Sequence, residues 1–107
     1  MEAYRFACSG EGWQHYVSEA WGPCTRLIEV GDDQLATRQV EIYRSGQVLV
    51  YDRACARDRY GLLIGLRFSR KDKWRKFFSD VRLLSEAEFE KAWNEASARY
   101  AEQDLDG

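Results

Sequence analysis

Hydrophobic and polar residues alternate along the first half of this chain and recur at helical spacing near its end. The pattern predicts strands first and a helix last. Residues 4 to 8 read as a short strand, followed by a turn over Gly10 to Gly12. Periodicity leaves open whether Trp13 to Trp21 is strand or helix; strand running into loop is the expectation, with Trp21-Gly22-Pro23 as a turn. Thr25 to Val30 is aliphatic and β-branched and stops at Gly31-Asp32-Asp33. Ala36 to Arg44 and Gln47 to Arg53 then form a hairpin around Ser45-Gly46. A two-residue loop there pairs Arg44 with Gln47, sets Ile42 against Leu49 and Val40 against Tyr51, and leaves Glu41, Tyr43, Val48 and Val50 on the opposite face, open to another element or a partner.

Arg53 to Tyr60 is too charged for a buried strand and is expected to loop out before a further strand candidate, Gly61 to Phe68. Ser69, with Asp72 behind it, resembles an N-cap opening a short basic helix in which Trp74, Phe77 and Phe78 share a face. Val81 to Leu84 returns as a brief extended segment. The last helix, Leu84 to about Ala101, has the best local signals: Ser85 and Glu88 make a capping box, and Leu84 and Phe89 a hydrophobic staple. Its stripe of Phe89, Ala92, Trp93, Ala96 and Tyr100 predicts packing on a sheet, with Glu86, Glu90, Lys91, Asn94, Glu95 and Arg99 facing water. The expected fold class is α+β: one domain over residues 1–107, with an antiparallel sheet of about four or five strands, a short basic helix, and the C-terminal amphipathic helix packed on one face.

Composition agrees with an independently folding chain. Its 107 residues include four Trp, six Tyr and five Phe, too much apolar bulk for a disordered segment. Sixteen basic side chains against eighteen acidic ones leave a formal charge of -2, so any electrostatic preference for a partner is local. No run approaches the roughly eighteen apolar residues of a membrane span. The first residues, which include Glu2, do not form a signal peptide, so the expected location is cytoplasmic, without membrane association. Cys8, Cys24 and Cys55 match neither a metal knuckle nor a paired disulfide framework and are read as reduced thiols.

Candidate chemistry is sparse. The single histidine, His15, would have to join Cys8 or Cys55 to make a thiol-dependent enzyme, and Cys55, flanked by Arg53 and Arg57, is the thiol best placed for activation. Asp32 and Asp33 fit a turn better than a metal site, and no phosphate-loop, zinc-protease or serine-hydrolase motif occurs. The expectation is therefore no enzyme, no metal and no cofactor. The most distinctive stretch is basic: Arg67, Arg70, Lys71, Lys73, Arg75 and Lys76 interleave with Phe68, Trp74, Phe77 and Phe78. Cations among aromatics are a nucleic-acid signature, which makes residues 67–78 a candidate for nucleic-acid binding. The acidic total charge and the missing recognition motifs rank that below a protein partner.

Arg38-x-Val40-Glu41-Ile42-Tyr43-x-x-Gly46 and Leu84-Ser85-x-x-Glu88-Phe89-Glu90-x-x-Trp93 resemble, in the same order, motifs of a family of small uncharacterised bacterial domains. The likeness spans roughly Thr25 to Ala96. The chain departs from the family pattern in the aromatic segment Trp13 to Trp21 and in the basic stretch Arg67 to Lys76. The resemblance implies an immunity protein that binds and neutralises a cognate polymorphic or contact-delivered toxin. Under that reading the partner surface comprises Tyr43, the loop cations Arg53, Arg57 and Arg59, and the basic segment with Arg67, Arg70, Lys71, Lys73, Trp74 and Lys76.

Overall fold

The computed structural model describes residues 3–10, 21–68 and 73–103. In chain order come β1 (Tyr4–Gly10), β2 (Cys24–Val30), β3 (Ala36–Tyr43), β4 (Val48–Asp52), a 3₁₀ helix (Lys73–Phe77), β5 (Ser79–Leu84) and α1 (Glu86–Glu102). The strands form one antiparallel five-stranded sheet in the order β4-β3-β2-β1-β5. With α1 against one face, the fold is α+β, as expected. The segment Trp13 to Trp21 lies outside the described residues except for Trp21, and so does the proposed cap at Ser69 with Asp72. Among the described residues no helix is long and apolar enough to cross a membrane.

The β3–β4 hairpin differs from its expected register by one residue. Tyr43 N–H donates to Gln47 O at 2.9 Å and Gly46 N–H to Tyr43 O at 2.9 Å, so the loop has three residues, and Gly46 takes φ +106. A turn closing into a positive-φ glycine adds one position to the loop. Ile42 therefore pairs with Val48 and Val40 with Val50, rather than with Leu49 and Tyr51. Because side chains alternate faces, that slip sorts the hairpin cleanly. Val40, Val48 and Val50 lie under the helix, with Ile42 on the same face but 40 % exposed, while Gln39, Glu41, Tyr43, Leu49 and Tyr51 turn to the other side.

On the helix side, Ala7, Leu27, Val40 and Val48 receive Phe89 and Ala96, with Leu84, Ala92, Trp93 and Tyr100 around them. The capping box at Ser85 and Glu88 is present in both directions, and both residues of the predicted staple, Leu84 and Phe89, belong to this cluster. Charged side chains tie the same layers together. Arg38 Nε and Nη2 each donate to a Glu29 oxygen at 2.8 Å, Arg5 Nε reaches Glu29 at 2.9 Å, and Arg38 also pairs with Glu90 of the helix. The Arg38 guanidinium lies 5.0 Å from the Phe89 ring centre and 5.2 Å from that of Trp93. Glu90, expected to face water, thus joins the helix to the sheet.

The opposite face is covered by irregular chain. Gly61 to Phe68 is not a strand; its one ladder contact is an isolated bridge from Leu62 to Arg57. Elsewhere its backbone is held at single points: Ile64 N–H donates to Gln39 Oε1 at 2.9 Å, Gln39 Nε2 donates to Leu62 O at 3.2 Å, and Phe68 N–H donates to Gln34 O at 2.8 Å. The segment thus covers the face that the sequence left to either another element or a partner. Further along, Phe6, Phe68, Trp74 and Phe78 meet with ring centres between 4.5 and 6.0 Å apart. Phe77 does not share this face and is 61 % exposed, because Phe78 follows the last helical residue and bends back onto Phe6 as the chain enters β5.

Candidate functional site

Among the described residues of the basic segment, Phe68, Trp74 and Phe78 turn inward while Arg67, Arg75, Lys76 and Phe77 are exposed. Phe68 and Trp74 are buried, and Phe78 packs beside them. Trp74 therefore anchors the core. Arg67, Arg75 and Lys76 are exposed. The Arg75 guanidinium sits 5.6 Å from the Trp74 ring centre, and the Lys76 ammonium 5.5 Å from that of Phe77. Lys73 lies in the 3₁₀ helix, whereas Arg70 and Lys71 fall outside the described residues. Of the aromatics interleaved with these cations only Phe77 is free to stack on anything. The chain then enters β5, where Leu83 is 57 % exposed.

The loop cations lie elsewhere and are partly committed to the fold. Arg53 donates to Asp33 Oδ1 at 2.8 Å and to the carbonyls of Ala36 and Leu35 at 3.1 and 3.2 Å. Its guanidinium, together with the Leu35 N–H, holds the Asp33 carboxyl below its usual range. Gly31-Asp32-Asp33 is thus a turn closed onto Arg53, in line with the sequence reading. Arg57 and Arg59 are exposed, with Arg59 5.4 Å from the Tyr60 ring centre. Between them Asp58 organises the loop, and sequence reasoning missed it. It accepts from Tyr51 Oη at 3.0 Å, Tyr100 Oη at 2.7 Å, Tyr60 N–H at 2.8 Å and Gly61 N–H at 3.0 Å, joining β4, α1 and the loop. Burial first, and then the neighbouring carboxylate, pushes both phenols up, Tyr100 to about 12. A cleft of about 430 Å³ borders this hub, with Cys55, Arg57, Trp93 and Tyr100 in its walls.

Tyr43 is not part of any surface. It is buried with Trp21, Cys24, Leu49 and Tyr51, and its hydroxyl donates to Glu41 Oε1 at 2.5 Å. Burial and that carboxylate raise its pKa. Glu41 also accepts from Gln39 Nε2 at 2.7 Å and lies 3.7 Å from Arg26 Nε, and neither charged side chain is exposed to solvent. The guanidinium fits because Gly10 has no Cβ; one placed there would stand 1.7 Å from Arg26 Nη1 and 2.9 Å from Cys24 Sγ. The strand pattern hid this cluster, since polar residues on alternate positions look solvated until another layer covers them. The glycine closing β1 opposite Cys24 is the only local hint of it.

Cys8 and Cys24 border the same cluster. Desolvation, only partly offset by Arg26, pushes the Cys8 thiol up to about 11 and raises that of Cys24 as well. Protonated, buried thiols are poor nucleophiles. Cys55 alone is exposed, and His15 falls outside the described residues. Among the described residues no group of three or more His, Cys, Asp or Glu is placed to hold a metal ion.

No family model matches the chain, and no curated protein or solved structure is similar enough to count as a match.

Proposed function

We propose that this chain is a non-enzymatic protein-binding module, an immunity protein that acts in the cytoplasm by binding a cognate bacterial toxin and holding it inactive. The observation that carries this reading is the exposure of Phe77 and Leu83, together with Arg75 and Lys76, over the 3₁₀ helix and the strand that follows it, a mixture of apolar anchor and cation that suits a protein interface. Burial raises the Cys8 thiol and so weighs against Cys8 as the nucleophile of a thiol-dependent enzyme. Burial of Phe68 and Trp74 removes most of the stacking platform that single-stranded nucleic acid needs, and so ranks nucleic acid second. Arg57, Arg59 and Arg67 remain exposed, so the loop and the segment leading to the 3₁₀ helix still qualify as contact surface, whereas Tyr43 and Trp74 do not.

Both motifs behind the family likeness serve the scaffold. Arg38 of the first lies against Phe89 and Trp93 of the second and pairs with Glu90. Recognition of a toxin is therefore assigned to residues outside them. Co-expression with the product of the neighbouring gene tests the reading: the chain should restore growth of cells poisoned by that product. No rescue, or no toxic product encoded beside it, rejects the immunity reading. Nucleic-acid binding predicts instead a complex that weakens steeply with salt.

A further inference from the structure

β1 pairs with one side of β5, and among the described residues no strand pairs with the other. Such an edge offers a row of backbone N–H and C=O groups to any incoming strand. At the start of β5 the edge is spoiled: Asp80 takes φ +57, and the register with β1 slips between Ala7 and Ser9. Past that point Arg82, Leu83 and Leu84 pair with Ala7, Phe6 and Arg5 without interruption. Regular strand with an open outer side therefore remains, flanked by the exposed side chains of Leu83 and Phe77.

Charge selects the occupant. Residues 67–83 contain seven Lys and Arg against two Asp. Of the described cations, Arg75 and Lys76 contact ring faces rather than carboxylates. Arg82 is paired with Glu88 at 3.4 Å, so it is Arg75 and Lys76 that a second copy adding edge to edge would set against their own like charges, which destabilises such a pairing. We propose that the outer edge of β5, from Val81 to Leu84, is a strand-addition site for an extended acidic segment of a partner protein. In it Leu83 and Phe77 supply the apolar contacts, and Arg75 and Lys76 the cationic guide. This rests on the protein-binding reading and names the chemistry of the partner segment.

The test is a titration of the ¹⁵N-labelled full chain at low salt with a short synthetic peptide alternating glutamate with valine and threonine, and with its lysine counterpart. The acidic peptide should shift the amides of Phe77 and of Val81 to Leu84 and slow their hydrogen exchange, while the lysine peptide does neither. Leu83→Glu should abolish the response. Arg75→Glu with Lys76→Glu should weaken it about tenfold at low salt, and this pair carries the test should Leu83→Glu perturb the fold. An absent response, an equal response to both peptides, or shifts centred on α1 would each overturn the edge assignment. The protein-binding reading is judged separately: rescue in co-expression that persists in Leu83→Glu keeps that reading while removing the edge, and absent rescue removes the reading whatever the peptides do.

Discussion

Glu41 carries a carboxylate to a position with no solvent exposure and meets Arg26, Gln39 and Tyr43 there. A buried ion pair gives little net stability, but removing one partner strands the other charge. Glu41→Ala should therefore cost about 3–5 kcal/mol in urea unfolding; a loss below about 1 kcal/mol would mean that water or another group takes over the Arg26 charge. Glu29 shows the opposite behaviour, at the edge of the helix face. Hydrogen bonds from Arg38 above all, then Thr37 and Arg5, lower its pKa from 4.5 to about 2. A depressed folded-state pKa stabilises above the unfolded value and loses that contribution as protons bind. Stability should accordingly fall as pH drops from about 4.5 towards 2. Arg38→Met should flatten that acid limb by returning Glu29 towards its ordinary value, as melts taken across this range will show. None of this was legible at the level of single residues, because Glu29 and Glu41 look alike in an alternating strand.

At the scale of elements, α1 was the most legible part of the chain, since capping box, staple and stripe are all set by neighbours within one turn or two. Its stripe is not buried evenly. Phe89 has no exposed surface, whereas Trp93 is half-buried at the rim under Arg38. Phe89→Ala should cost about 3–5 kcal/mol. Trp93→Ala, for which a fully buried ring would predict the same, should cost about half as much; equal losses in denaturant melts would show both rings equally buried in solution. The hairpin was legible as a hairpin but not in register, because one glycine with φ +106 decides between a loop of two residues and one of three. Gly61 to Phe68 has the composition of a strand, yet its hydrogen bonds are scattered over Asp58, Gln39, the carbonyl of Gln34 and an isolated bridge with Arg57. Propensity is overridden where packing Leu63, Ile64, Leu66 and Phe68 onto the sheet face buries more apolar surface than strand pairing would.

Across the whole molecule, the two sheet faces place the thiols in different environments. Cys8 and Cys24 are shut under the irregular layer, and Cys55 lies in the exposed loop. Iodoacetamide near neutral pH should modify Cys55 in the native protein and reach Cys8 and Cys24 only on unfolding; mass spectrometry of the native digest that finds all three labelled would contradict the burial described. Charge is also divided, with cations before β5 and carboxylates along α1 at Glu86, Glu88, Glu95 and Glu102. Such a division orients an approaching partner even though the net charge is close to balanced.

Local pattern by itself determined the α+β class, the strands on either side of the hairpin turn, and the final helix with its cap, because alternation, turn residues and capping are read within a few positions. It also marked the basic segment as unusual. Only the tertiary structure decided which ring of that segment is exposed, which strand lies at the open edge, and that Arg26 and Glu41 are interior. Those outcomes depend on which layer covers which face, and that is set by contacts between residues far apart in the chain.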